Sequence, residues 1–172
     1  MISIVPAQAG EMLEHMITLS GEYIVWLNKE IKRHFPELNI SELMSEHDYD
    51  DVRRKFPGDH VPPNGCLLIA TIADQVAGCV AVGRLSDTIC EMRTMFVRPQ
   101  FRGAGVGRRL AEASLEEAVK LGYETMRLDT LRFMTGALQL YTSLGFYEIE
   151  PYLDMSESLK LYIHFLERQL SK

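Results

Sequence analysis

Hydrophobic and polar positions change their period several times along the chain, and each change marks an element. Met1 to Val5 alternates as a short strand, which Pro6 closes. From Gln8 to Lys32 the period is helical. Met12 and Met16 share one face, Leu19, Tyr23, Trp26, Leu27 and Ile31 form a stripe, and Gly21 is a candidate break between two helices. His34 to Gly65 holds no sustained period. It carries Pro36, Pro57, Pro62 and Pro63, a charged run from Glu46 to Lys55 in which a short helix over Ser45 to Lys55 is expected, and a proline-constrained loop from Phe56 to Gly65. Alternation returns in Cys66 to Ile72, Val76 to Arg84 and Thr88 to Val97, separated by turns at Asp74-Gln75 and Ser86-Asp87, which predicts a meander. In the third run Met92, Thr94 and Phe96 are expected on one face, with Glu91, Arg93, Met95 and Val97 on the other.

Beyond Pro99, which cannot extend a strand ladder, a glycine-rich turn opens a helix at Val106. Leu110, Ala111, Leu115, Ala118 and Val119 lie on its apolar side, and Gly122 stops it. Glu124 to Thr130 reads as a strand. Phe133 to Leu144 reads as a helix ended by Gly145, and Phe146 to Ile149 as the start of another strand. Pro151 to Ser158 is a loop, and the alternation of Leu159, Leu161, Ile163 and Phe165 predicts a closing strand. The order predicts an α/β fold with a mixed sheet and helices on both faces, and one domain over residues 1–172.

Composition narrows the function classes. A net charge of -6 with no basic face argues against broad nucleic-acid binding. No signal peptide and no bilayer-length apolar run is present, so no membrane partner is expected. Cys66, Cys79 and Cys90 lie in apolar, strand-like surroundings without metal-type spacing, which suits reduced thiols in a cytoplasmic protein and predicts no metal site.

The densest chemistry lies between Cys90 and Arg109. Arg102-Gly103-Ala104-Gly105-Val106-Gly107 lets the backbone turn sharply and exposes the first amides of the helix that follows, at the positive end of its dipole. Arg102, Arg108 and Arg109 add positive charge to this anion site. The spacing fits neither a dinucleotide fingerprint nor a P-loop. A strand, Arg-Gly-x-Gly-x-Gly and a helix together resemble motif A of the GNAT superfamily of N-acetyltransferases. Downstream, Ala137-Leu-Gln-Leu-Tyr141-Thr-Ser-Leu-Gly145-Phe146 is similar to the A-x-x-L-Y-x-x-x-G-F segment of that superfamily, and the resemblance covers roughly Cys66 to Ile149.

The resemblance implies the GNAT fold, a mixed and mostly antiparallel central sheet flanked by helices on both faces. It implies acetyl-CoA as cofactor, with the pyrophosphate on the amides of Arg102, Gly103, Ala104, Gly105, Val106, Gly107 and Arg108, and the pantetheine arm along the backbone of Met95, Phe96 and Val97. The strand ending near Val97 is then expected to splay from the strand at Glu124 to Thr130. Tyr141 takes the position of the phenol that protonates coenzyme A, against the alternative of a buried structural tyrosine. Glu91 takes the position of a base acting through water, against the alternative of an ion pair with Arg93. Arg93 is a candidate for holding a substrate carboxylate, His60 for meeting the acceptor or solvent, and Trp26 and Tyr23 for walling the acceptor pocket or filling the core. One departure is Met134, which stands where many members carry a cofactor-contacting asparagine. The resulting expectation is an N-acetyltransferase acting on a small-molecule amine by direct transfer in a ternary complex. The alternatives are a non-catalytic acyl-CoA sensor, an enzyme for protein N-termini or lysines, and an interaction module whose glycine-rich loop is a tight turn. Homodimerisation through a sheet edge is kept open as a family habit.

Overall fold

The computed structural model describes residues 1–38 and 56–170. The helix expected over Ser45 to Lys55 lies outside the described residues. The elements in order are β1 (Ile2–Pro6), α1 (Gly10–His34), β2 (Cys66–Ile72), β3 (Gln75–Arg84), β4 (Ile89–Val97), α2 (Val106–Lys120), β5 (Thr125–Leu131), α3 (Thr135–Ser143), β6 (Tyr147–Glu148), α4 (Glu157–Lys160) and β7 (Ile163–Gln169). The strands form one sheet in the order β1-β2-β3-β4-β5-β7-β6, antiparallel throughout except for β4 beside β5. This is the expected mixed, mostly antiparallel sheet with helices on both faces.

Strand alternation feeds cores on both faces of the sheet. Leu68, Ala70, Val80, Val82 and Met92 pack against the Val106, Leu110, Ala111 and Ala118 face of α2. Leu67, Ile69, Cys79 and Ala81 meet Met16 and Leu19 of α1 on the other side. Because both faces are covered, Cys66 to Ala70 is buried at every position, which is why it reads as an unbroken apolar run. α1 is continuous through Gly21 rather than divided there. The roughly 1 kcal/mol cost of a mid-helix glycine is outweighed by burial of Met16, Leu19, Ile24 and Leu27 on either side of it.

The alternation expected along β4 is broken. Cys79 pairs with Phe96, but Ala81 pairs with Arg93, so β4 spends one residue more than β3 over the same span. The extra residue falls at Thr94, whose φ of 49° lies in the left-handed region that a β-branched side chain rarely adopts. The slip reverses the faces beyond it. Met92 joins the α2-side core, whereas Phe96 joins the α1-side core, correcting the shared face predicted for Met92, Thr94 and Phe96. The terminal run also departs from expectation. Glu157–Lys160 is a helical turn that buries Leu159 at 5% exposure and leaves Leu161 at 71%, and the strand starts at Ile163. The apolar spacing at 159 and 161 does not reflect a sheet face.

Beyond the bulge, β3 approaches β4 closely at Gly78. A Cβ there would stand 2.5 Å from the Phe96 carbonyl oxygen and 3.3 Å from Leu110 Cδ1. Gly78→Ala is therefore expected to destabilise the fold by about 1–3 kcal/mol, read as a lower Tm and denaturation midpoint. An unchanged midpoint would show that the bulge can open without cost. None of the helices is long and apolar enough to cross a membrane, among the described residues.

Candidate active site

β4 and β5 pair only from Ile89 to Glu91 against Thr125 to Arg127, and then part. The gap is part of a cleft of ≈ 820 Å³, walled by Met92–Val97 on one side and Leu128–Leu131 on the other. This is the splay that the resemblance implied. Its cause is local to β4. The extra residue at Thr94 turns the strand away from its parallel neighbour, and the backbone past Glu91 is left without a partner from β5.

The glycine-rich turn closes one end of the cleft. Gly103 and Gly105 have φ values of 79° and 85°, and a Cβ on either would meet nothing within 4 Å. Gly105 caps α2 without a side-chain hydrogen bond, and no acidic residue occupies the first turn. The leading amides of α2 are thus aimed outward with uncompensated positive dipole, beside Arg108, whose guanidinium donates to Ser143 Oγ at 2.7 Å. A strand-wide slot leading to an uncapped helix start suits an extended chain ending in phosphates, which is the shape and charge of acetyl-CoA. The donor set therefore fits that cofactor.

Arg102 sits differently from the other cations. Its guanidinium lies 4.6 Å over the Trp26 ring, and its Nε donates to the Val97 carbonyl at 3.0 Å. It joins the end of β4 to α1 across the cleft mouth. Arg98 makes a second tie, giving Glu22 a two-pronged pair at 2.7 and 2.8 Å and the Val76 carbonyl a bond at 2.8 Å. Tyr23, Trp26 and Phe96 cluster on the α1 side of the cleft with ring centroids 5.7 to 6.2 Å apart.

Of the residues singled out from sequence, Trp26, Arg93, Met95, Phe96, Val97, Arg102, Gly103, Gly105, Val106, Gly107, Arg108 and Tyr141 line this cleft; Ala104, Glu91 and His60 do not. Tyr141 comes from α3 and is 6% exposed, its ring set edge-on to Phe146 at 5.8 Å. Burial, and then the nearby charge of Asp129, raise its pKa above the ordinary phenol value, so the hydroxyl keeps its proton. Glu91 is 3% exposed. It accepts a hydrogen bond from the Tyr152 hydroxyl at 2.7 Å on one oxygen and pairs with Arg93 on the other. His60 stands edge-on to Phe56 and close to Gly83 and Arg93, and burial followed by the Arg93 charge lowers its pKa. Met134 caps α3 in the cleft wall, where its sulfur accepts from Thr130 Oγ1 at 3.5 Å.

Tyr23 lines the cleft beside Trp26, and Asp129 is a cleft residue that sequence reasoning passed over. The signal for Asp129 was an acidic residue in the middle of an otherwise strand-forming run, against its propensity. Its side chain is exposed to solvent in the open cleft, although protein packs densely around the cleft floor that carries it. Burial, followed by the charge of Glu91, pushes its pKa up to about 6. None of the cysteines lines the cleft. All are buried and free, and burial pushes the Cys66 and Cys90 thiols up to about 12 and Cys79 higher still, so none offers a thiolate. Among the described residues, no cluster of His, Cys, Asp and Glu suits a metal ion.

The Acetyltransferase (GNAT) family model matches residues 26–146. An uncharacterised N-acetyltransferase of Schizosaccharomyces pombe is 42% identical over 93 residues, 53% of this chain and 57% of that protein. An N-acetylaspartate synthetase of Xenopus tropicalis is 32% identical over 110 residues, 63% of this chain and 40% of its own length. The matches thus span well under two thirds of the length of either relative. Among solved structures, an acetyltransferase of Salmonella typhimurium described with its cofactor acetyl-CoA superposes with a TM-score of 0.65 at 17% identity, over 99% of this chain and 95% of that one.

Proposed function

The chain belongs to the GNAT acetyltransferase family, and from that premise we propose that residues 1–172 form one domain that transfers acetyl from acetyl-CoA to the amine of a small carboxylated molecule, by direct transfer in a ternary complex. The observation that carries the reading is the parting of β4 from β5, which puts an unpaired strand edge, an uncapped helix start and the Tyr141 phenol on one cleft. When bound, acetyl-CoA supplies an activated acetyl thioester. The amides from Gly103 to Arg108 hold its phosphates, and the backbone of Met95 to Val97 holds the arm between. Tyr141 keeps a proton at neutral pH and gives it to the departing thiolate. With every cysteine thiol protonated, an acetyl-cysteine intermediate has no nucleophile to start from, which supports direct transfer.

The acceptor class rests on Arg93, a half-exposed cation among the cleft-lining residues whose guanidinium pairs with Glu91. A cation so placed suits a carboxylate. The relatives named N-acetylaspartate synthetase, after an acetylated amino acid, support the same class. The test is thiol release from acetyl-CoA over amino acids, polyamines, aminoglycosides and peptides with free N-termini, beside a thermal shift with coenzyme A. Turnover concentrated among amino acids is expected. Turnover confined to peptides would overturn the acceptor class, and no rise in Tm with coenzyme A would overturn the acetyltransferase reading itself.

A further inference from the structure

We infer that Asp129, rather than Glu91, is the carboxylate that receives the acceptor amine and takes its proton. This assignment rests on the acetyltransferase reading above. Asp129 lies just past the last β5 residue paired to β4, where the cleft opens. Its neighbour Leu128 is 1% exposed in the α2-side core, so alternation turns Asp129 toward the opposite, open side. Among the described residues, no other side chain hydrogen-bonds or ion-pairs its carboxylate. Glu91 is the reverse case. Both its oxygens are engaged, by Tyr152 and Arg93, and it lies off the cleft. A base must reach the proton it abstracts, and of these two carboxylates only Asp129 borders the space where an acceptor can sit.

The charged and titratable groups around Asp129 come from every element packed near it. β4 brings Glu91 and Arg93, α1 brings Tyr23, α3 brings Tyr141, and the segment before α4 brings Tyr152. β7 places Phe165 opposite it and adds no charge there. Glu30, His34 and Arg102 stand farther out along the cleft wall. After burial, Asp129 is the largest further cause raising the pKa of both Tyr23 and Tyr141, so its charge is felt at the proton donor and at the aromatic wall alike. In the step assigned to it, an N–H bond of the acceptor ammonium breaks, the electron pair stays on nitrogen, and the proton goes to an Asp129 oxygen. The products are a neutral amine and a carboxylic acid, which later returns the proton to water. A carboxyl at about 6 is ionised near neutral pH yet more basic than an ordinary carboxylate.

The test compares wild type, Asp129→Asn and Glu91→Gln. With acetyl-CoA and the fastest amine of the panel above, kcat/KM of wild type should fall below pH 6. Asp129→Asn should lose about 10²-fold or more in kcat, lose that acid limb, and keep its affinity for acetyl-CoA by calorimetry. Glu91→Gln should keep the limb. An acceptor-free measurement stands beside it. A ¹³C carboxyl resonance absent from Asp129→Asn should titrate near pH 6 in the acetyl-CoA-bound protein. A limb surviving in Asp129→Asn, or a resonance titrating in the ordinary carboxylate range near 4, overturns the assignment. Either result with wild-type turnover intact leaves the acetyltransferase reading standing, whereas wild type that neither binds acetyl-CoA nor releases thiol overturns that reading first. Stability supplies a further sign. Folding raises this pKa, so ionisation disfavours the folded state once pH exceeds the unfolded value. Asp129→Asn should therefore melt higher than wild type at pH 8 and equally at pH 3, where both states hold the proton; a lower Tm at pH 8 would count against the raised pKa.

Discussion

Tyr141→Phe is expected to lower kcat by about 10²–10⁴-fold while leaving acetyl-CoA affinity and Tm close to wild type. The substitution keeps the ring, its edge-on packing on Phe146 and its 6% exposure, and removes one oxygen. What is lost is therefore chemical. Burial and Asp129 both hold the phenol protonated, which suits the donor role proposed for Tyr141 rather than that of a base. A leaving thiolate without that donor departs as a strong nucleophile, and the barrier rises accordingly. Thiol release measured at saturating acetyl-CoA reads the change, and calorimetry with coenzyme A separates it from binding. A variant that turns over at the wild-type rate would show that solvent protonates the thiolate, and Tyr141 would then be a packing residue.

The elements that were legible in the sequence are those whose information is local. α2 announces itself by its period and by the glycines before it, and the meander by its two turns. The strand-loop-helix resemblance pointed to the candidate anion site because such a site is built from consecutive amides. Tyr141 was legible for the same reason, being carried by one short helix. What was hidden depends on contacts between distant residues. Nothing in the alternation of β4 marks the slip at Thr94, because apolar residues continue through it; the slip shows only against β3. The cleft follows from that slip, so Asp129, marked in the sequence only by its low strand propensity, became a candidate only once β4 and β5 were seen to part. Glu91 illustrates the converse. Both its readings were open from the sequence, and the placement of Tyr152, 61 positions on, is what occupies its second oxygen.

Gly105→Val is expected to weaken acetyl-CoA binding by about 10–100-fold, the equivalent of one charge-assisted hydrogen bond of 1.5–3 kcal/mol. Two effects must be separated. Valine at φ 85° strains the backbone by roughly 1–2 kcal/mol, whatever surrounds it. The other effect is on the ligand. A Cβ at Gly105 would meet no protein atom within 4 Å, so the space it enters is the open side of the loop, where phosphate oxygens must come within hydrogen-bond distance of the amides. Gly122 provides the control. It ends the same helix at φ 90°, has equally open surroundings, and lies outside the cleft. Gly122→Val should lower Tm by a similar amount and leave the coenzyme A dissociation constant unchanged. If the two variants lose affinity equally, the loss is strain passed along α2, and the phosphates do not sit on this loop. If only Gly105→Val loses affinity, the loop amides are the phosphate site. The conformation that lets α2 begin without a side-chain cap is then also what leaves room for the ligand to cap it.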